Sequence, residues 1–321
     1  AVVSGGMLLS ACGTSNAADP VADGSQPKPE GAVTYYTEIR VPGPEKDTVL
    51  GKIDNLIAAM RAKEGYLSIS FKQMTGESTM VKNYPNEKKG VLDRAYIGNA
   101  KVPNFYSLFV RFDSYDNMVA SGVQAWFQTD IVPSLFAYTI VDNKPVKTPN
   151  ALDYYEGVFV TVAAGDRNAI YTKQADIVNF LKNQADEVNG ITAPLVTVEN
   201  HVMIKDANLV DFNTKVKNLL TTAQQTYMPL DESSGIGTAG TLDVNDTNYR
   251  KAVTTEILQN AFADGDLRAY LMHGVWESVA DHENSHIDVR FQKAAGPVGA
   301  YVVVGPVEPF YDTIKQHNNN A

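Results

Sequence analysis

Hydrophobic and polar positions divide residues 33–314 into two similar halves. The first opens on Val33-Thr34-Tyr35-Tyr36-Thr37-Glu38-Ile39-Arg40-Val41, rich in β-branched and aromatic residues, which predicts a strand. The second opens on a similar run, Leu152-Asp153-Tyr154-Tyr155-Glu156-Gly157-Val158-Phe159-Val160. A helix-period segment follows each. Val49, Ile53, Leu56, Ile57 and Met60 share one face in the first, as do Ile177, Phe180 and Leu181 in the second. Both predicted helices stop near a glycine, Gly65 and Gly190. Second strands are predicted over 66–72 and 195–204, and third strands over 105–112 and 269–276. Each third strand runs into a polar helix start, at Asp113 and at Glu277. Fourth strands are expected over 139–141 and within 302–314.

This order is βαββαβ in each half, so the expected fold class is α+β. Two ferredoxin-like repeats, 33–150 and 151–321, would pack as an α/β barrel. The second repeat carries an insertion over about 207–265. It is read as a helix over 210–227, a Gly/Ser/Thr loop over 233–240 and a second helix over 249–262. An insertion of this length serves as a lid, an oligomer contact or a plain decoration.

Residues 1–32 stand apart from the fold as a signal remnant and a flexible tether. Leu9-Ser10-Ala11-Cys12 resembles a bacterial lipobox. The resemblance implies lipidation of Cys12, export, and a lipid anchor on the periplasmic face of the outer membrane or the cell surface. Composition narrows the function further. With 27 Lys+Arg against 37 Asp+Glu, the chain is acidic and poorly suited to a nucleic-acid backbone. Its single Cys excludes a disulfide framework, a multi-Cys zinc site and a thiolate-held iron–sulfur cluster.

The candidate chemistry lies in His282-Glu283-Asn284-Ser285-His286. On a helix the two imidazoles share one face and can bind one metal ion. The same letters spell H-E-x-x-H, in which zinc is the metal and Glu283 the base of a hydrolase. A third ligand is expected from Glu308, which sits between Pro306 and Pro309 in an otherwise apolar stretch. A carboxylate in that setting needs a partner. His282, His286 and Glu308 would form a two-His-one-carboxylate triad, suited to mononuclear non-heme iron and also to zinc. Around it, Trp276 and His273 are read as pocket or supporting residues, and Tyr311 as a partner orienting Glu308. His317 is read as solvated, and His201 receives no ligand role.

These residues resemble sulfur oxygenase reductase. The shared words are Trp276, Asp281-His282-Glu283, His286 and Gly305-Pro306-Val307-Glu308-Pro309-Phe310-Tyr311. The resemblance implies a duplicated ferredoxin-like barrel, a homo-oligomer, and iron held by His282, His286 and Glu308. It implies an oxygenase acting with O2 on reduced sulfur or another small substrate. The family's pocket Cys has no counterpart, since Cys12 is the only Cys. Three alternatives stay open: a heme-linked or cofactor-free monooxygenase of the antibiotic-biosynthesis type, a zinc hydrolase, and a non-enzymatic metal-binding or structural oligomer.

Overall fold

The run from Val33 to Val41 forms strand β1, and its alternation sorts the side chains. Val33, Tyr35, Ile39 and Val41 pack outward onto helix α1 (Lys46–Met60). Thr34, Tyr36 and Glu38 occupy the alternate positions and turn to the other face. Strands β2 (Tyr66–Ser78) and β3 (Asn104–Phe112) complete the first part of the sheet. Ser114 accepts from the Asn117 amide at 3.2 Å and caps helix α2 (Tyr115–Ser121), which ends at Gly122 in the left-handed region. This computed structural model describes residues 24–78, 104–183, 195–225, 252–278, 281–282, 285 and 289–319. Cys12, Glu283, His286 and the 233–240 loop lie outside them.

The expected fourth strand of the first half exists as β4 (Phe136–Val141), but it does not join the main sheet. It pairs with β5 (Lys144–Ala151) as a separate hairpin. Asp142 and Asn143 form its tip with φ of 49° and 62°. Such a two-residue turn needs positive φ, and Asp and Asn tolerate it. This local turn closes the pair by itself and leaves the first half three strands to give to the main sheet.

The second half supplies β6 (Tyr155–Asp166), the short β7 (Ile170–Tyr171) and helix α3 (Gln174–Lys182). After them come β8 (Val196–Lys205), helix α4 (Leu209–Gln225), β9 (Thr254–Asn260) and β10 (Leu267–Trp276). Helix α5 (Val289–Gly299), β11 (Val302–Val307) and β12 (Pro309–Asn318) end the described chain. The sheet order is β1-β3-β2-β12-β8-β10-β9-β6, and β6 pairs back onto β1, closing an eight-stranded antiparallel barrel. Closure leaves these strands without free edges.

Two expectations about the insertion change. Residues 249–262 were expected to hold a helix, yet Thr254–Asn260 is strand β9, inserted between β6 and β10. Its sequence, TTEILQN, sets Glu256 and Leu258 toward the barrel interior and Ile257 outward, a period of two. The first insertion helix, α4, is part of the core rather than a decoration. Its Phe212, Val216 and Leu220 pack on Val202, Ile204, Ile257 and Tyr270. β12 also departs from a simple repeat. It pairs with β2 of the first half and with β8 of the second, so each half lends strands to the other. The barrel draws three strands from residues 33–150 and five from 151–321. His317, read as solvated, packs its ring on Tyr66 and places Nδ1 2.8 Å from that hydroxyl. No helix among the described residues is long and apolar enough to cross a membrane.

Candidate functional site

A cavity of about 360 Å³ lies between the outer face of the second half's strands and helices α4 and α5. Alternation on β8 and β10 builds its floor from Val198, Asn200, Val202, Met272, Gly274 and Trp276. Gly274 is needed there, because a Cβ would stand 2.9 Å from the Trp276 indole nitrogen. Leu219, Leu220, Phe291 and Val298 form the helical wall. The lining is mostly apolar, as in small-molecule sites generally.

His282 and Glu308 both line this cavity, although 26 positions separate them in sequence. A short helical turn presents His282. Ser278 Oγ accepts from the Asp281 amide at 3.1 Å and lies 3.0 Å from Asp281 Oδ2, a capping arrangement encoded by S-x-x-D. The His282 ring is 3 % exposed and is gripped edge-on by Trp276 and Phe310, with centroids 5.3 and 5.0 Å away. Glu308 lies at the junction of β11 and β12 and accepts from Asn200 Nδ2 at 2.6 Å. Gly305 (φ 94°) lets this segment press onto β8, since a Cβ there would stand 2.5 Å from the His201 carbonyl oxygen. The third expected ligand, His286, lies outside the described residues.

Trp276 and His273 line the cavity, and His273 also reaches inward to Glu256. Tyr311 is different. It pairs opposite Thr197 on β12 and turns into the barrel, so it does not orient Glu308. The Pro309 bulge places Glu308 and Phe310 on the cavity side and Tyr311 on the other.

The barrel interior holds a second set of polar groups that the sequence reading did not assemble. Arg111 grips Glu256 through two bonds of 2.5 and 2.7 Å, with both side chains fully buried. Thr161 donates to the same carboxylate at 2.7 Å. Burial would raise the Glu256 pKa, but Arg111 and His273 outweigh it and hold the carboxyl at about 2. Burial pushes His273 down to about 4 against the pull of Glu256, so it is neutral at pH 7.

Across the barrel, Glu38, Glu199 and His201 place a donor atom each within 4.8 Å of one another. His201 Nε2 lies 2.8 Å from Glu38 and 4.0 Å from Glu199. The Tyr36 hydroxyl reaches Glu38 at 2.6 Å and Glu199 at 2.8 Å, and Ser107 also donates to Glu199. Burial raises the Glu199 pKa to about 7, with His201 and Ser107 opposing. Burial would lower the His201 pKa, but Glu38 raises it; burial would raise the Glu38 pKa, but His201 lowers it. The available signal was the alternation Thr197-x-Glu199-x-His201, which sets three polar groups on one strand face.

The raised Glu199 pKa predicts a pH dependence. Between about 4.5 and about 7 the folded chain keeps a proton that the unfolded chain releases. Wild-type stability therefore falls, relative to Glu199→Gln, as pH rises through that window. The expected difference is on the order of 3 kcal/mol by urea unfolding of metal-free protein. Parallel pH profiles for the two proteins would contradict it.

Residues 162–314 match the CT0912-like C-terminal domain family, and residues 32–117 match the ABM-like domain family. No curated protein matches the chain in sequence. Among solved structures, the chain is similar to a candidate monooxygenase from Fusobacterium nucleatum. The identity is 9 %, covering 90 % of this chain and 94 % of that one, with a TM-score of 0.50. An anthrone oxidase-like protein gives 10 % identity over 91 % and 95 %, also with a TM-score of 0.50. At such identities the likeness is one of fold, and it agrees with the ABM-like match of residues 32–117.

Proposed function

We propose that this chain is an oxygenase that binds a small apolar substrate in the cavity between the sheet and helices α4 and α5. The observation that carries the reading is that His282 and Glu308 line the same, mostly apolar cavity. The ABM-like match and the two monooxygenase- and oxidase-named structural neighbours support the reaction class.

His282, His286 and Glu308 are the proposed ligands of mononuclear non-heme iron, which when bound supplies redox chemistry with O2. A buried imidazole and a half-buried carboxylate lining one cavity fit such an ion. Asn200 fixes one oxygen of Glu308. Trp276 and Phe310 fix the plane of His282. The aliphatic walls exclude water and favour an organic ring or an uncharged sulfur species over a charged substrate. Cys12 is proposed to carry a lipid that holds the protein to the periplasmic face of the outer membrane or the cell surface.

Anaerobic loading with Fe(II) tests the site. Wild type should hold one more iron per chain than His282→Ala. Equal iron in the two proteins would remove the cavity metal. A second reading, a cofactor-free monooxygenase, draws on the ABM-like match of residues 32–117. Substrate-dependent O2 uptake by chelator-treated protein would select it.

A further inference from the structure

We infer that the barrel interior holds a divalent-cation site formed by Glu38 of β1 with Glu199 and His201 of β8. It lies on the opposite face of β8 from the cavity and does not depend on the reading of that cavity.

The donor set is the first reason. Two carboxylates and one imidazole, each donor within 4.8 Å of the others, need only small rotations to meet at one ion. Bonds of about 2.0–2.2 Å to such an ion require donor separations below roughly 4.4 Å. His201 Nε2 already lies 2.8 Å from Glu38 and 4.0 Å from Glu199. Oxygen-rich donors with one nitrogen suit Mn²⁺, Fe²⁺ or Zn²⁺.

Proton accounting is the second reason. Tyr36 has one hydroxyl proton and two carboxylates within reach, at 2.6 and 2.8 Å, so it satisfies one at a time. Glu199 is fully buried beside the half-buried Glu38, and a buried carboxylate demands either an extra proton or a cation. A divalent ion balances both charges.

The third reason is a buried donor atom left unused at the cluster. His201 Nε2 is buried and makes no hydrogen bond of acceptable geometry among the described residues, although Glu38 lies 2.8 Å away. Tyr311, 3 % exposed and in register opposite Thr197, lies on the same face of β8 as Glu199 and His201. An approach path exists, because the Glu38 and His201 side chains are 26 % and 17 % exposed at the rim while Glu199 is sealed. The ion would join β1 of the first half to β8 of the second.

The test uses the full chain carrying His282→Ala and His286→Ala, which removes the proposed cavity ligands. Equilibrium dialysis and calorimetry with Mn²⁺ and then Zn²⁺ should show one ion per chain and a rise in Tm. Adding Glu199→Gln or the rim change Glu38→Gln should weaken binding roughly 100-fold or more, since losing even an outer partner costs 10–100-fold. Circular dichroism checks that each variant is folded; if Glu199→Gln is not, Glu38→Gln decides. No ion in the cavity-null chain overturns the interior site and leaves the cavity reading intact. Unchanged affinity in a folded Glu199→Gln or Glu38→Gln variant overturns it as well.

Discussion

His282→Ala should lose the cavity iron and at least about 100-fold in substrate-dependent O2 uptake while remaining folded. The imidazole packs edge-on between Trp276 and Phe310 in a cavity wide enough to tolerate a smaller side chain. Its deletion removes a donor without exposing a charge. Glu308→Gln should act in the same direction, because it keeps the shape and the Asn200 contact while removing the negative donor. Asn200→Ala should do less, shifting metal affinity by about 10- to 100-fold with the donors themselves retained. Anaerobic iron loading, an oxygen electrode and a panel of aromatic and sulfur substrates check all three. Full O2 uptake by His282→Ala would end the metal reading of the cavity. Full uptake by metal-free wild type would move the chemistry to the cofactor-free alternative.

Arg111→Met should cost about 3–5 kcal/mol in urea unfolding, because it strands the Glu256 carboxylate inside the barrel. Arg111 and Glu256 are 1 % and 0 % exposed as side chains, so water cannot replace the lost partner. Thr34 and Thr161 would still reach the pair's former positions, but neither supplies a charge. The double variant Arg111→Met with Glu256→Leu should recover part of the loss, since removing both charges ends the desolvation penalty. The pH dependence follows from the depressed Glu256 pKa. Its contribution is present above the unfolded value near 4.5 and is lost as pH falls toward about 2. The gap between wild type and Arg111→Met should therefore narrow on acidification through that range. Equal stability of the two proteins near pH 7 would show that the pair contributes nothing.

Local pattern alone determined much of the fold. The alternation from Val33 to Val41 and the 3.6-residue spacing of Val49, Ile53, Leu56 and Met60 name their elements, because neighbours along the chain set those periods. The same holds for the helix around Phe212 and Val216, and for the His282 turn with its Ser278 cap. His282 and Glu308 lie in one stretch of chain, and both line one cavity after the intervening helix. Thr254–Asn260 was not legible. Seven residues carry too short a period to choose between helix and strand, and the gap between β6 and β10 made the choice. The Asp142-Asn143 turn likewise took Phe136–Val141 out of the main sheet, and β12 filled a place between the halves. The interior groups depended most on tertiary structure. Glu38 stands 161 positions before Glu199, and Arg111 stands 145 before Glu256. Each is one polar residue in an alternating strand, which by itself reads as a solvated face. Only closure of the barrel through β1 and β6 turns those faces inward, removes their water and forces the charges to find one another.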